Sequence, residues 1–145
     1  MNIYFACSIT GGRQDELVYQ KLVAALQEVG HHVPTALLAS PEVMPLEGVV
    51  SPHDVYARDV SWISGCDLLL AEISTPSHGV GYEIGYALAL GKRVLCLHRQ
   101  GRKISKMILG NPDPRLTVHS YTTPEQAVDI LNTYLAGMTD TARNE

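Results

Sequence analysis

The sequence predicts an α/β fold: a flavodoxin-like or Rossmann-like three-layer sandwich, with a roughly five-stranded parallel sheet and helices on both faces. Short, continuous apolar runs alternate with segments whose apolar residues recur every three or four positions. That alternation is typical of buried parallel strands joined by helices. Polar, glycine-bearing segments follow two of the apolar runs. Because ligands of such sheets bind outside the carboxyl ends of the strands, we expect function there.

The first half of the chain is predicted to form a strand, a helix, a short strand and a second helix, over residues 3–7, 14–29, 31–38 and 52–65. Gly30 is expected to end the first helix. Pro34 interrupts the second strand, and residues 39–52 form a long, proline-containing loop. Pro52 suits the first turn of the second helix.

The second half is predicted to form a strand, a helix, a strand, a short helix, a strand and a closing helix, over residues 67–73, 80–90, 93–98, 104–109, 116–121 and 124–135. Thr123 is a suitable cap for the closing helix, and Pro124 suits its first position. We therefore expect one domain over residues 1–137. Residues 138–145 are predicted to be a disordered polar tail.

Composition limits the functional classes. Of the 145 residues, 46% are hydrophobic and 18% charged, an ordinary globular mixture with a net charge of −4. This charge argues against a nucleic-acid binder, which usually carries a basic face. The N-terminus has neither a signal-peptide pattern nor a membrane span, and reduced, buried thiols are expected at Cys7, Cys66 and Cys96. We predict a cytoplasmic protein without a membrane partner.

Two polar segments are candidates for the site. Residues 8–13 follow the first strand and open a helix, so their backbone N–H groups and hydroxyls can hold an anion, although an ordinary turn has the same composition. They match neither the mononucleotide nor the dinucleotide fingerprint. Residues 77–85 contain several glycines and place Glu83 about one turn into a helix at a strand end. Glu83 is therefore either a partly buried, catalytic carboxylate or an ordinary solvated acid near the start of the helix.

A second acid lies on the apolar side of a predicted helix. Asp59 falls between Val55 and Trp62, an unusual place for a carboxylate unless it is paired or functional. Its neighbour Arg58 allows a simple salt bridge. Two acids from separate elements can also flank a sugar, as in glycoside hydrolysis. The six histidines show no metal-binding spacing, so we expect neither a metal nor a cofactor.

Five segments of the chain, taken in order, resemble those of a known family: Tyr4–Arg13, Arg58–Trp62, Asp67–Glu72, Pro76–Gly85 and Ser105–Gly110. In order and spacing they resemble the 2'-deoxynucleoside 5'-phosphate N-hydrolases (Rcl), within the nucleoside 2-deoxyribosyltransferase superfamily. The resemblance covers nearly the whole chain up to about Ala136. It implies hydrolysis of the N-glycosidic bond of a (deoxy)nucleoside 5'-monophosphate.

The resemblance also implies roles for individual residues. Glu83 matches the nucleophile that attacks the anomeric C1' carbon, and Asp59 matches the acid that assists departure of the base and later activates water. Tyr4 matches a residue of the catalytic set that lies beside the sugar and the catalytic carboxylate. Ser8, Ser77 and Ser105 match contacts to the 5'-phosphate, and Ser105 is implied to reach the neighbouring subunit of a homodimer. The remaining substrate-binding residues implied are Ile9, Thr10, Gly11, Gly12, Gly79 and Met107.

One departure leaves alternatives open. The family enzymes carry an arginine where this chain has Thr10, so a charge-assisted phosphate contact is missing at that position. The rival enzymatic reading is transfer of 2-deoxyribose between bases of unphosphorylated nucleosides through the same glycosyl-Glu83 intermediate. A non-catalytic nucleotide-binding module on the same fold is the third reading, because fold alone does not determine function.

Overall fold

The computed structural model describes residues 1–9, 15–42 and 48–143. Within those ranges the sheet has four parallel strands in the order β1-β2-β3-β4. Their bounds are Ile3–Ala6, Leu68–Glu72, Arg93–Arg99 and Leu116–Tyr121. The helices are α1 to α5, at Glu16–Glu28, Pro52–Gly65, His78–Ala89, Lys106–Leu109 and Pro124–Arg143, and a 3₁₀ helix covers Ala36–Ala39.

Helices cover both faces of the sheet, which confirms the three-layer α/β prediction. Successive residues of a strand point to opposite faces, so each strand contributes to two cores. On one face, Phe5 and Leu70 pack against residues of α1 and α5 such as Leu22 and Leu131. On the other face, Tyr4 and the strand residues that share its side pack against α2 and α3: Ala6, Leu69, Ala71, Val94 and Cys96.

The predicted second strand is wrong, and four strands are described instead of five. Residues 31–38 contribute only a parallel bridge between His32 and Asn2. Pro34 has no N–H, so the ladder cannot continue through it. The Thr35 hydroxyl accepts the hydrogen bond of the Phe5 N–H at 2.8 Å. The Thr35 side chain therefore provides the hydrogen-bond acceptor at the edge of β1 where a strand was expected, and the chain continues into the 3₁₀ helix.

Helix ends follow the predicted stop and start signals closely, with one exception. Gly30 adopts φ +85°, the left-handed conformation expected just after α1. Ser51 caps α2, where it accepts the Asp54 N–H at 3.1 Å. The exception is α5, which continues through Met138 to Arg143, beyond the predicted start of the tail. Met138 packs against the α1/α5 core, which extends the helix past residue 137.

Among the helices that the structure describes, none combines the length and the apolar character needed to cross a membrane.

A buried polar cluster closes the carboxyl ends of the strands. Glu72, the last residue of β2, is fully buried. Its carboxylate accepts hydrogen bonds from the Ser74 hydroxyl and, at 2.8 Å, from the Tyr121 phenol. Burial raises the pKa of Glu72 to about 7, although these hydrogen bonds favour the charged form. The cluster joins β2 to β4 and supports the segment that leads to α3.

The raised pKa of Glu72 predicts a pH-dependent stability. Between the ordinary value of 4.5 and about 7, the folded state binds the Glu72 proton more tightly than the unfolded chain. The free energy of unfolding should therefore fall as the pH rises through this window, by up to about 3 kcal/mol for this group, and then level off. Urea unfolding of wild type and Glu72→Gln from pH 5 to 8 measures it. Parallel curves for the two proteins would contradict the assignment.

Candidate active site

The site centres on a hydrogen bond between β1 and α3. The phenol of Tyr4, which is fully buried, donates to Oε1 of Glu83 at 2.8 Å. Tyr4 faces α3 because it lies on the side of β1 that packs against α2 and α3. Ser77 caps α3 by accepting the Val80 N–H at 3.3 Å, which fixes the first turn of the helix that carries Glu83. Sheet packing and helix capping thus hold the carboxylate in one orientation.

The environment of Glu83 tunes its ionisation near neutral pH. Burial, together with the nearby Asp59 carboxylate, raises the pKa of Glu83 to about 7. The Tyr4 hydrogen bond and the Arg58 charge act in the opposite direction, because both favour the ionised form. Burial and the adjacent carboxylates raise the pKa of Tyr4 well above its usual range, so Tyr4 remains a hydrogen-bond donor.

Asp59 lies on α2 and is paired with its neighbour. The Arg58 Nε donates to Oδ1 of Asp59 at 2.8 Å, and the Asp59 side chain is 16% exposed. The guanidinium also sits 5.0 Å from the centre of the Trp62 ring. This is the salt bridge that the sequence allowed. The pairing does not remove Asp59 from the site, because Asp59 and Glu83 line the same cavity.

This larger cavity, of about 490 Å³, brings together several of the predicted site residues. Besides the two carboxylates, it is lined by three residues of the predicted substrate-binding set, Ile9, Ser77 and Gly79. The other lining residues are mainly apolar: Cys7, Leu38, Gly48, Val50, Pro52, Val55, Tyr56, Val60, Ile63, Val80 and Tyr82. Two acids at the wall of an apolar cavity can stabilise a positive charge that develops on a bound ligand.

A smaller cavity, of about 400 Å³, adjoins the larger one. Ser77 and Val80 line both, so the N-terminal turn of α3 separates them. The smaller cavity also contains Ser105 and Met107 of the predicted set, together with Lys103. Its described lining residues include no carboxylate, in contrast to the larger cavity.

Ser8 lies at the end of β1 and is fully buried. Its Oγ has no hydrogen-bond partner among the residues that the structure describes. A buried hydroxyl without a partner is costly and is suited to receive a ligand atom. The predicted residues Thr10, Gly11 and Gly12 lie outside the described residues.

Sequence reasoning missed two features of the site. The first is a buried ion cluster, in which Asp15 accepts hydrogen bonds from Arg99, Arg102 and Thr75, each at 3.3 Å. It joins the start of α1 to the segment after β2 and to the end of β3. The residues are up to 87 positions apart, so no local pattern could reveal the cluster.

The second missed feature is an aromatic pair at the larger cavity. The rings of Tyr56 and Tyr82 pack edge to face with centroids 6.3 Å apart. The neighbouring Tyr82 phenol raises the pKa of Tyr56 above its usual value. A sequence signal existed, because Tyr56 is three residues before Asp59 and therefore shares its side of α2. Within the described ranges, no cluster of three or more His, Cys, Asp or Glu residues could hold a metal ion.

Comparisons with known proteins identify the family of this chain. Residues 3–139 match the family model described as nucleoside 2-deoxyribosyltransferase. The 5-hydroxymethyl-dUMP N-hydrolase of Danio rerio is 42% identical over 146 residues, covering 96% of this chain and 99% of that protein. The protein of the same name from Homo sapiens is 38% identical over 130 residues, covering 85% of this chain and 73% of that protein.

A solved structure shares the fold. The CMP N-glycosidase of Clostridium botulinum aligns with a TM-score of 0.70 at 23% identity, over 91% of this chain and 98% of that chain. At that identity the likeness concerns the fold alone. The family model and the sequence relatives confirm the resemblance that the five ordered segments indicated. The chain belongs to the nucleoside 2-deoxyribosyltransferase family.

Proposed function

We propose that this protein hydrolyses the N-glycosidic bond of (deoxy)ribonucleoside 5'-monophosphates, releasing the free base and (deoxy)ribose 5-phosphate. The observation that carries the proposal is the pair of carboxylates, Glu83 and Asp59, at one apolar cavity with Glu83 held by the Tyr4 phenol. Family membership supports it, as do relatives whose names describe hydrolysis of a nucleotide N-glycosidic bond.

In the first step, a carboxylate oxygen of Glu83 attacks C1' of the sugar while the bond between C1' and the base nitrogen breaks. Asp59 donates a proton to the departing base, so the base leaves neutral. The transition state resembles an oxocarbenium ion and carries positive charge. The Glu83 carboxylate stabilises this charge more strongly than the neutral ground state of the sugar, which lowers the barrier. Asp59 adds negative charge as its proton passes to the base.

In the second step, water resolves the glycosyl-Glu83 ester. Asp59, now ionised, removes a proton from water, the hydroxide oxygen bonds to C1', and Glu83 leaves as a carboxylate. Asp59 regains its proton, so the protein returns to its starting state. Tyr4 donates its hydrogen bond to the carboxylate throughout, which orients Glu83 and maintains a fraction of it ionised at neutral pH.

The 5'-phosphate would bind beside α3, on the side of the smaller cavity. Ser77 at the helix N-terminus lines this cavity and supplies a hydroxyl, and backbone N–H groups near Gly79 add donors. Ser8 lines neither cavity, but its buried Oγ has no partner among the described residues, so we include it as a further donor. Lys103 is the one lysine or arginine among the described residues that line either cavity. Its charge supports phosphate binding in a chain that has Thr10 in place of the family's arginine. Ile9, Gly11, Gly12, Ser105 and Met107 complete the proposed substrate-binding set.

The assembly and location are part of the same proposal. A homodimer in which Ser105 reaches the neighbouring subunit's site would cover Met107, which is 85% exposed, and Leu109, which is 55% exposed. Large apolar side chains at that exposure are typical of surfaces that bind another protein. A cytoplasmic location fits the three buried free cysteines, because reduced thiols persist there.

A substrate panel tests the function. Deoxynucleoside and ribonucleoside 5'-monophosphates and the matching nucleosides are incubated with the protein, each with and without a second base. We expect base release from monophosphates without an acceptor, because water is the proposed second reactant. Base exchange that requires an acceptor and occurs on unphosphorylated nucleosides would instead establish a transferase. Binding of nucleotides without any release of base would leave only the non-catalytic module.

Replacement of the nucleophile tests the mechanism. Glu83→Gln preserves the shape of the side chain but cannot form the glycosyl ester, so kcat should fall at least ~10³-fold. Glu72→Gln is the matched control, because Glu72 is also buried with a pKa near 7 but lines neither cavity; its kcat should stay within about tenfold of wild type. Base release by Glu83→Gln at the wild-type rate would refute the mechanism.

The pKa of Glu83 predicts the acid limb of the pH–rate profile. The nucleophile must be ionised, so kcat/KM should fall about tenfold per pH unit below about 7. In Tyr4→Phe the carboxylate loses a hydrogen bond that favours its charged form, so the limb should move to higher pH. The substrate phosphate titrates identically in both experiments, which isolates the protein group. A limb that stays in place or moves to lower pH would contradict this assignment.

A further inference from the structure

Two tyrosines form an exposed aromatic surface at the larger cavity. Tyr56 is 54% exposed and Tyr82 is 56% exposed, which leaves much of each large ring accessible. Their rings meet at 61° with centroids 6.3 Å apart, and Tyr82 stacks on Tyr86 at 6.2 Å. The packing holds the two cavity-lining rings in place while leaving ring surface open to the cavity.

Each tyrosine is close in sequence to one of the two carboxylates, and all four residues line the larger cavity. Tyr56 precedes Asp59 by three positions on α2, and Tyr82 immediately precedes Glu83 on α3. Under the proposed function, C1' of the sugar lies at Glu83 and the glycosidic nitrogen lies within reach of Asp59. The base is bonded to C1', so it lies in the same cavity, which the two tyrosines also line.

The other described residues of the wall fit the shape of a ligand more than they offer hydrogen bonds to base edges. The residues that line the larger cavity around the tyrosines are aliphatic, including Leu38, Val50 and Val55. Among the described lining residues there is no asparagine, glutamine, arginine, lysine or histidine, the side chains that read base edges through paired hydrogen bonds. Aromatic rings hold any base, because every base has a π-face.

We infer that Tyr56 and Tyr82 form a stacking surface for the nucleobase, with Tyr56 the contact that binds it, so that purine and pyrimidine nucleotides are both substrates. The inference rests on the proposed function, because it takes the reacting carbon to lie at Glu83. It adds the base-binding residue and the breadth of base specificity, neither of which the catalytic carboxylates determine.

The test compares four proteins with dAMP, dGMP, dCMP and dTMP as substrates: wild type, Tyr56→Ala, Tyr56→Phe and Tyr86→Ala. Loss of a stacked ring should raise KM for every nucleotide by roughly 5- to 50-fold in Tyr56→Ala. Tyr56→Phe retains the ring and should stay within about twofold of wild type. Tyr86→Ala removes a ring of the same stack that does not line the cavity, so it should also stay within about twofold.

A second measurement separates base binding from a general disturbance of the site. Deoxyribose 5-phosphate, which has no base, should inhibit wild type and Tyr56→Ala with the same inhibition constant. An equal loss of affinity for the nucleotide and for the sugar phosphate would overturn the inference. A KM for Tyr56→Ala no higher than that of Tyr86→Ala would also overturn it, as would wild-type kcat/KM values that differ more than about 100-fold among the four bases.

Failure of the proposed function would give a different result from failure of the stacking inference. If wild type releases base from no nucleotide, the hydrolase proposal fails before Tyr56 is tested. If wild type releases base and only the Tyr56 comparison fails, the hydrolase proposal stands and the stacking inference is wrong.

Discussion

The hydrogen bond from the Tyr4 phenol to the Glu83 carboxylate connects β1 to α3 and depends on the packing of the whole layer between them. Tyr4 can reach Glu83 only because α3 rests on that side of the sheet, and α3 has its orientation because Ser77 caps it. Burial that this packing creates raises the pKa of Glu83 to about 7. The ionisation of the proposed nucleophile is therefore a property of the fold.

The two cavities divide the proposed substrate by charge. Carboxylates line the larger cavity, where the proposed mechanism develops positive charge on the sugar, while the smaller cavity has no carboxylate among its described lining residues and contains Lys103. An anionic phosphate is repelled by the carboxylates of the larger cavity and is attracted by the lysine of the smaller one. Ser77, which lines both, lies where the sugar and its phosphate would join. The same arrangement leaves the apolar, tyrosine-bordered end of the larger cavity for the base.

Much of the fold was predictable because the signals are local. Alternation of apolar runs with helical spacing predicted the three layers, and Pro52 and Gly30 predicted where helices begin and end. The second strand was mispredicted because its outcome depends on a distant contact, the Thr35 hydroxyl with the Phe5 N–H. The length of α5 was underestimated for the same reason, since Met138 packs against residues far away in sequence.

The sequence by itself determined the fold class, the family and the candidate carboxylates, because periodicity, caps and ordered motifs are written in neighbouring residues. The resemblance implied that Tyr4 lies beside the catalytic carboxylate, but only the tertiary structure shows the hydrogen bond between Tyr4 and Glu83 across 79 positions and the shared cavity of Asp59 and Glu83. It also revealed the Tyr56–Tyr82 pair and the buried Asp15 cluster. Burial, cavity walls and raised pKa values arise when separate elements exclude water together, and no single segment carries that information.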